Sequence, residues 1–222
     1  MWYDEKEVMF VRDIPFFTTE LGAASLTLSQ IPYTQTAYIR IQDTDSPAEF
    51  LKECISFCKM AGAEVIYATG HNVCLSYPFS TSIIAMQAKK SSIGSTEAYL
   101  MPVTEKTIEQ WRGIYNDKAV HIPNGAWMTL RDGAEMLQRG SGYFVYKEDV
   151  LLGIGKTYGN QVQWIASVHP GGGEDILKAL CRAIAEDIIS LEVADSNKKA
   201  LDLYTKLGFV SVEMLSQWYR VQ

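Results

Sequence analysis

One segment constrains the fold of this chain more than any other: a predicted amphipathic helix followed at once by an apolar strand over residues 188–193. The apolar positions of the helix recur at helical spacing. They are Ile176, Leu177, Leu180, Cys181 and Ile184. An apolar strand that follows a helix is typical of a parallel sheet covered on both faces. We therefore expect it to pair in parallel with the strand that begins near Val162, as a βαβ unit of a mixed α/β sheet, with ligands beyond the carboxyl ends of the strands.

The rest of the C-terminal half predicts the same class of fold. Apolar residues recur there at alternating or helical spacing, and Thr, Gly and Asn stand at the ends of the segments. The predicted order is strand 97–103, helix 104–116, helix 129–139, strands 143–146 and 150–156, the alternating strand Val162, Trp164, Ala166 and Val168, helix 176–184, strand 188–193, a helix that ends before Gly208, and one or two closing strands.

The last helix carries a tyrosine on its apolar side. Ala200, Leu203, Tyr204 and Leu207 fall at i, i+3, i+4 and i+7, and this spacing predicts that Tyr204 points into the protein. Gly208 stands where a left-handed residue commonly ends a helix. Taken alone, such a placement favours a core aromatic whose hydroxyl bonds a backbone group.

The full run of residues 197–209 resembles the last helix of the GCN5-related N-acetyltransferase (GNAT) family, whose pattern there is N-x-x-A-x-x-L-Y-x-K-x-G-F. The resemblance covers about residues 95–222 and implies the GNAT fold over that part. It also implies direct transfer of an acetyl group from acetyl-CoA, the cosubstrate, to a primary amine of a small molecule or a protein, with no metal. In that family the tyrosine faces the sulfur of acetyl-CoA, so Tyr204 is the catalytic candidate.

GNAT proteins cradle the pyrophosphate of coenzyme A in a glycine-rich loop at a helix N-terminus, where unpaired N–H groups and the helix dipole favour anions. Residues 168–173, Val-His-Pro-Gly-Gly-Gly, resemble that loop but are fewer and lack the usual Arg or Gln. Glu174 and Asp175 follow, and their charge repels a diphosphate unless the side chains point away. A turn that only connects strand to helix is the alternative. The cofactor contacts implied by the resemblance are Ser167, Val168, His169, Gly171, Gly172, Gly173 and Asn197.

The chemistry implied by the resemblance needs a neutral amine, a donor for the oxyanion and a stabilised thiolate. By family analogy, the backbone near Ser167 and Val168 polarises the thioester carbonyl. A tyrosine with a pKa near 10 is a weaker acid than a thiol near 8.5, so full proton donation is uphill by about 2 kcal/mol, and a hydrogen bond is the larger effect. The sequence does not identify the general base, and the candidates are Glu192, His169 and a water chain. Asn197 is either a cofactor contact or a helix N-cap.

Residues 1–94 are predicted to form a smaller α/β half-domain before the GNAT domain of residues 95–222. Without gaps, residues 37–56 align with residues 163–182, and each copy reads as strand, loop, helix and strand. We interpret the first copy as a degenerate GNAT-like half repeat, although generic βαβ patterning could produce the same match. Its glycine loop is replaced by Asp-Thr-Asp-Ser-Pro, so we expect no cofactor in this half.

The composition and charge of the chain limit the classes of molecule that it is expected to bind. The formal net charge of −6 and the pI near 5.1 argue against nucleic-acid binding, which needs a basic surface. There is neither a leader-like N-terminus nor an apolar run of membrane-spanning length, so we expect a cytoplasmic protein with no membrane partner. Four scattered cysteines predict neither a disulfide framework nor a zinc site. The sequence does not identify the acceptor amine, and it leaves open whether the protein forms a homodimer. The alternative function is a noncatalytic GNAT-like binding or regulatory module.

Overall fold

The computed structural model describes residues 13–120, 122 and 125–222. The polypeptide divides into two units. Unit 1 comprises the described residues up to Ser82 together with Ser216–Gln222, and unit 2 comprises the described residues of Ile83–Leu215. The predicted boundary between residues 94 and 95 stays a prediction. No helix among the described residues is long and apolar enough to cross a membrane.

Strands and helices alternate along the chain. The strands are β1 (Ile14–Thr19), β2 (Gly22–Thr27), β3 (Thr36–Thr44), β4 (Val65–Thr69), β5 (Phe79–Lys89), β6 (Tyr99–Pro102), β7 (Gly142–Lys147), β8 (Val150–Tyr158), β9 (Gln161–Ser167), β10 (Ile188–Ala194) and β11 (Val210–Arg220). The helices are α1 (Ile31–Thr34), α2 (Pro47–Met60), α3 (Ile108–Ala119), α4 (Leu130–Arg139), α5 (Gly173–Ala183) and α6 (Lys198–Lys206). From β6 onward this is the predicted order, with a single closing strand.

Unit 1 contains a sheet in the order β1-β2-β3-β4-β11, with α2 packed against it. β3 and β4 are parallel and joined by α2, and the other neighbours are antiparallel. The buried side chains of α2 recur at helical spacing and are Phe50, Leu51, Cys54 and Cys58. α2 begins 126 residues before α5 (173 − 47), which is the offset of the aligned segments (163 − 37). The half repeat itself stays a prediction.

Unit 2 contains a mixed sheet in the order β5-β10-β9-β8-β7-β6. β9 and β10 run parallel and are joined by α5, whereas the other neighbouring strands are antiparallel. The predicted βαβ unit and the mixed α/β sheet are confirmed. Residues 83–89 of β5 pair with β10, so this sheet also contains a strand that precedes residue 94 in the sequence.

The two faces of the unit 2 sheet have separate cores. One core, the α5 face, joins α5 and α6 to inward side chains such as Leu191. The other, the α3 face, joins Trp111 and Tyr115 of α3 to Ile154 of β8. Gly155 lets α5 lie close to the sheet, because a Cβ there would be 2.3 Å from a methyl carbon of Leu180.

A β-bulge in β9 changes the face that its side chains occupy. Val162 and Trp164 have partners on β8, and the ladder skips Gln163 between them. Val162 therefore joins the α5 face, whereas Trp164 and Ala166 join the α3 face. The predicted uniform alternation from Val162 to Val168 is wrong, because one inserted residue reverses the alternation and the strand ends at residue 167.

Candidate functional site

The parallel strands β9 and β10 part shortly after they begin. Their backbones pair at two positions, and the second pair is Val162 with Leu191. β9 continues to Ser167 and β10 to Ala194, and these fully described strands share no further pair. A cavity of about 230 Å³ opens between them toward their carboxyl ends. Ligands of α/β sheets are commonly bound at this end of the strands.

Residues of β9, β10 and α6 line this cavity. Those with polar or aromatic side chains are Gln163, Trp164, Glu192, Asn197 and Tyr204. Among the described lining residues, Glu192 carries the only carboxylate and Tyr204 the only hydroxyl group. The cavity therefore combines one carboxylate and one hydroxyl group with amide and indole side chains in an otherwise mostly apolar wall.

The ends of α6 place Tyr204 in the cavity wall. The Asn197 side chain caps the helix by accepting a hydrogen bond from the Ala200 N–H at 3.3 Å. Gly208 adopts the left-handed conformation just beyond the helix, with φ of +88°. Tyr204 is 8% exposed, and its ring centroid lies 6.0 Å from that of Phe209. The predicted helix with a glycine stop and an inward tyrosine is confirmed.

The Tyr204 hydroxyl has no hydrogen-bond partner among the described residues. Burial raises the pKa of Tyr204 to about 12, with a smaller contribution from the neighbouring Cys181. Because an ordinary thiol has a pKa of about 8.5, full proton donation from Tyr204 to a thiolate is uphill by about 5 kcal/mol. The hydroxyl is suited to donating a hydrogen bond to a thiolate rather than to ionising.

The glycine loop between β9 and α5 is closely packed. Gly171 has φ of +81°, a conformation that side chains other than glycine rarely adopt. A Cβ on Gly172 would lie 3.1 Å from the Ser167 hydroxyl oxygen, and one on Gly173 would lie 3.3 Å from Leu203 of α6. The loop therefore needs glycine for contact with the end of β9 and with α6.

Part of the loop backbone is already hydrogen-bonded. The N–H groups of Val168 and His169 both donate to the Leu152 carbonyl oxygen, at 2.9 and 3.0 Å, and Gly172 donates to His169 at 3.1 Å. A thioester carbonyl at Val168 would compete with this existing bond. The contacts of Ser167, Val168 and His169 with a cofactor stay predictions.

Other N–H groups of the loop and of the first turn of α5 have no protein acceptor among the described residues. They belong to Gly171, Gly173, Glu174 and Asp175. Such groups carry the positive end of the helix dipole and bind anions readily. The geometry at this helix end is therefore compatible with a phosphate group, although the family's Arg or Gln is missing.

The two carboxylates at the start of α5 are paired with lysines. Glu174 accepts hydrogen bonds from Lys178 at 2.7 Å and Lys206 at 2.6 Å, and these bonds lower its pKa to about 2. Asp175 accepts a hydrogen bond from Lys147 at 3.1 Å. Three lysines against two carboxylates leave a formal balance of +1, so the acidic residues do not make this helix end negative.

The structure brings together only part of the predicted site. Asn197 and Tyr204 both line the cavity, whereas residues 167–173 lie outside its lining, at the start of α5. The segment of residues 121–125 falls in part outside the described residues, but Ile122 and Gly125 line the cavity.

Gln163 and Trp164 are lining residues that sequence reasoning did not select. Three consecutive apolar residues, 164–166, break the alternation of β9, and such a break is a signal of a bulge. Glu192, considered as a base, lies in the lining, and its Oε1 accepts a hydrogen bond from the Gln161 amide at 3.2 Å. No group of three or more His, Cys, Asp or Glu within the described ranges is arranged to hold a metal ion.

Comparisons with known proteins identify the fold. No protein-family model and no curated protein matches the sequence. A functionally unknown conserved protein from Staphylococcus epidermidis matches with a TM-score of 0.59 and 12% identity, over 92% of this chain and 91% of that one. A GCN5-related N-acetyltransferase from Sphaerobacter thermophilus matches with a TM-score of 0.57 and 10% identity, over 90% of this chain and 76% of that one. A tandem GNAT protein from the clavulanic acid biosynthesis pathway matches with a TM-score of 0.52 and 12% identity, over 90% of this chain and 78% of that one.

These likenesses extend beyond the region that the sequence resemblance covers. They span 90 to 92% of the chain, whereas the resemblance is limited to about residues 95–222. At 10 to 12% identity they establish the arrangement of strands and helices and nothing about activity. With its mixed sheet and its parallel pair that parts beside the last helix, the chain has the GNAT fold.

Proposed function

We propose that this protein is an N-acetyltransferase that moves the acetyl group of acetyl-CoA directly to a primary amine of a small molecule or a protein. One observation carries the proposal: β9 and β10 part after Val162 and Leu191, and the wall of the cavity between them includes Tyr204, whose hydroxyl has no hydrogen-bond partner among the described residues. A volume of about 230 Å³ suits the acetyl thioester and the end of the pantetheine arm rather than all of coenzyme A. In this arrangement Tyr204 faces the sulfur.

The nucleotide end of acetyl-CoA is proposed to lie outside the cavity, at the start of α5. The N–H groups of Gly171 and Gly173 support this position, because no described residue accepts a hydrogen bond from them and they can donate to phosphate oxygens. The ion pairs of Glu174 remove the main electrostatic objection, since its charge is compensated by two lysines. Lys206, whose side chain is 68% exposed, can also reach solvent anions.

The proposed reaction proceeds without an acyl-enzyme. The acceptor ammonium loses one proton to solvent water, and the neutral nitrogen attacks the carbonyl carbon of the thioester. As the C–N bond forms and the C–S bond breaks, the electron pair leaves with the sulfur. The Tyr204 hydroxyl stabilises the thiolate by a hydrogen bond, and the thiolate takes up the second proton that the nitrogen releases. The buried Cys181 is an unsuitable nucleophile, since burial raises its pKa to about 12.

The alternative is a noncatalytic GNAT-like binding or regulatory module. The short loop without Arg or Gln favours it, because it offers fewer donors to a diphosphate than the family pattern does. The two proposals differ in a measurable way. An enzyme binds acetyl-CoA and turns it over, whereas a module with the fold alone binds weakly or not at all.

A thermal melt with acetyl-CoA tests binding first. Ligand at about 100 times its Kd stabilises a protein by about 2.7 kcal/mol, which raises Tm by several degrees in a protein of this size. Unchanged Tm at millimolar acetyl-CoA would contradict the acetyltransferase proposal. Acetyl-pantetheine, which lacks the nucleotide, serves as the matched ligand and should stabilise the protein less.

Release of free thiol from acetyl-CoA then tests turnover. The protein is assayed with a panel of aliphatic amines, arylamines and peptides with free N-termini, and product is identified by mass. Transfer that depends on Tyr204 supports the enzyme. Binding of acetyl-CoA with no transfer to any member of the panel supports the noncatalytic module instead.

A further inference from the structure

The bulge gives the cavity two sides with different chemistry. Tyr204 belongs to the core of the α5 face, together with Val162 and Leu191. Trp164 lies beyond the bulge and packs against the core of the α3 face. Glu192 alternates along β10 with buried Leu191 and Val193, so its side chain also points away from the α5 face. One side of the cavity thus offers a hydroxyl group, and the other offers a carboxylate and an indole ring.

Aromatic packing holds the Trp164 ring in place. Its centroid lies 4.4 Å from that of Tyr115, and Tyr115 stacks on Trp111 at 5.5 Å. Trp111 is anchored in turn, because its indole N–H donates to the Tyr143 carbonyl oxygen at 3.0 Å. The indole N–H of Trp164 is buried without an acceptor among the described residues, so ring packing rather than a hydrogen bond fixes this side chain.

The Glu192 carboxylate is fixed at one oxygen and available at the other. The Gln161 side-chain amide donates to Oε1 at 3.2 Å, and no described residue donates to Oε2. No lysine or arginine is paired with Glu192 within the described ranges, so its negative charge is uncompensated in the lining. An uncompensated carboxylate beside an electron-rich ring is suited to a cation.

We propose that the acceptor is an aliphatic primary amine that enters on the α3 face as its ammonium ion, and that Glu192 and Trp164 select it. This inference rests on the proposed function and assigns its acceptor class. The ammonium donates to Oε2 of Glu192 and lies against the face of Trp164, on the opposite side of the parted strands from Tyr204. An arylamine, which is neutral near pH 7, gains neither the charge-assisted hydrogen bond nor the cation–π contact and is discriminated against.

A binding measurement with a simple alkylammonium ion tests the proposal. n-Butylammonium chloride and its neutral counterpart 1-butanol are titrated at constant ionic strength, and the indole N–H resonance of Trp164 is followed by NMR. Its assignment comes from Trp164→Phe. We expect butylammonium to shift this resonance with at least about tenfold tighter binding than 1-butanol, since the two ligands differ mainly in charge.

Variants separate a local contact from the overall negative charge of the protein. Glu192→Gln should weaken butylammonium binding about 10- to 100-fold, as expected for a lost hydrogen bond between charged groups. Glu186→Gln makes the same change in charge at an exposed position outside the lining and should have no effect. Trp164→Phe keeps a ring and should weaken binding about 2- to 10-fold, followed through the backbone amide resonance of Gln163 because this variant lacks the indole. Circular dichroism and Tm confirm that each variant is folded.

Several results would overturn the inference. They are equal binding of 1-butanol and butylammonium, no binding of either ligand, and equal losses in Glu192→Gln and Glu186→Gln. The failure of the proposed function is visible separately, because acetyl-CoA binding is measured by the thermal melt and should be unchanged in Glu192→Gln. Binding of butylammonium without binding of acetyl-CoA would support the cation site and contradict the proposed acetyltransferase function.

Discussion

Tyr204→Phe removes one oxygen atom and tests the proposed chemistry directly. The Tyr204 hydroxyl has no partner among the described residues, so its loss breaks no hydrogen bond to any of them. With the pKa of Tyr204 raised to about 12, its contribution to catalysis is a hydrogen bond to the thiolate, worth about 1.5–3 kcal/mol. We therefore expect kcat to fall about 10- to 150-fold, with the acetyl-CoA dissociation constant unchanged and Tm equal or slightly higher.

The assay is thiol release at saturating amine, accompanied by thermal melts of the wild type and the variant. Tyr158→Phe is the matched control, because it removes the same atom from a ring that is 56% exposed on the surface. A hydroxyl with a pKa of about 12 stays protonated through the working range, so kcat should show no loss from its ionisation below about pH 10. Unchanged kcat in Tyr204→Phe would refute the reasoning, and a Tm several degrees lower would reveal a structural bond.

Three further predictions concern stability and thiol reactivity. Hydrogen bonds from Lys178 and Lys206 lower the pKa of Glu174 from 4.5 to about 2, so the stability they supply is present above pH 4.5 and lost as the pH falls toward 2. Urea unfolding should show a decrease of about 1 kcal/mol over that interval, reduced in Glu174→Gln. Gly171→Ala should destabilise the protein by about 1 kcal/mol, because residue 171 has a positive φ. Gly113→Ala should instead stabilise α3 by about 0.5–1 kcal/mol, because no atom lies within 4 Å of the added Cβ. Equal changes in the free energy of unfolding for the two variants would contradict the backbone argument. The thiols of Cys54, Cys58 and Cys181, with pKa values raised to about 12 by burial, should resist an aromatic disulfide reagent until urea unfolds the protein.

The C-terminal elements could be predicted because their signals are strong and local. α6 shows this best, with Asn197 at its start, Gly208 at its end and apolar residues at helical spacing between them. β1 could not be recognised in the same way. Most of its side chains are exposed, so it lacks the alternation of a half-buried strand and is held by pairing with β2.

The candidate site was harder to predict, because its geometry depends on pairing between strands. The alternation of β9 suggested that Val162 and Trp164 share a face, but an unpaired residue opposite β8 separates them. The net charge at the loop could not be judged from neighbours in sequence either. Glu174 is compensated by Lys206, which is 32 residues away, and Asp175 by Lys147, which is 28 residues away.

The sequence by itself determined that a helix with an inward tyrosine follows a βαβ unit, since helix periodicity and end signals arise from residues a few positions apart. The tertiary structure alone decided what Tyr204 faces. Contacts between distant segments decide whether β9 and β10 stay paired or part. They also decide whether Trp164 and Glu192 lie on the same side of the cavity. Local patterns do not fix such contacts by themselves, because a shift of one residue in the pairing of a strand moves its side chains to the other face of the sheet.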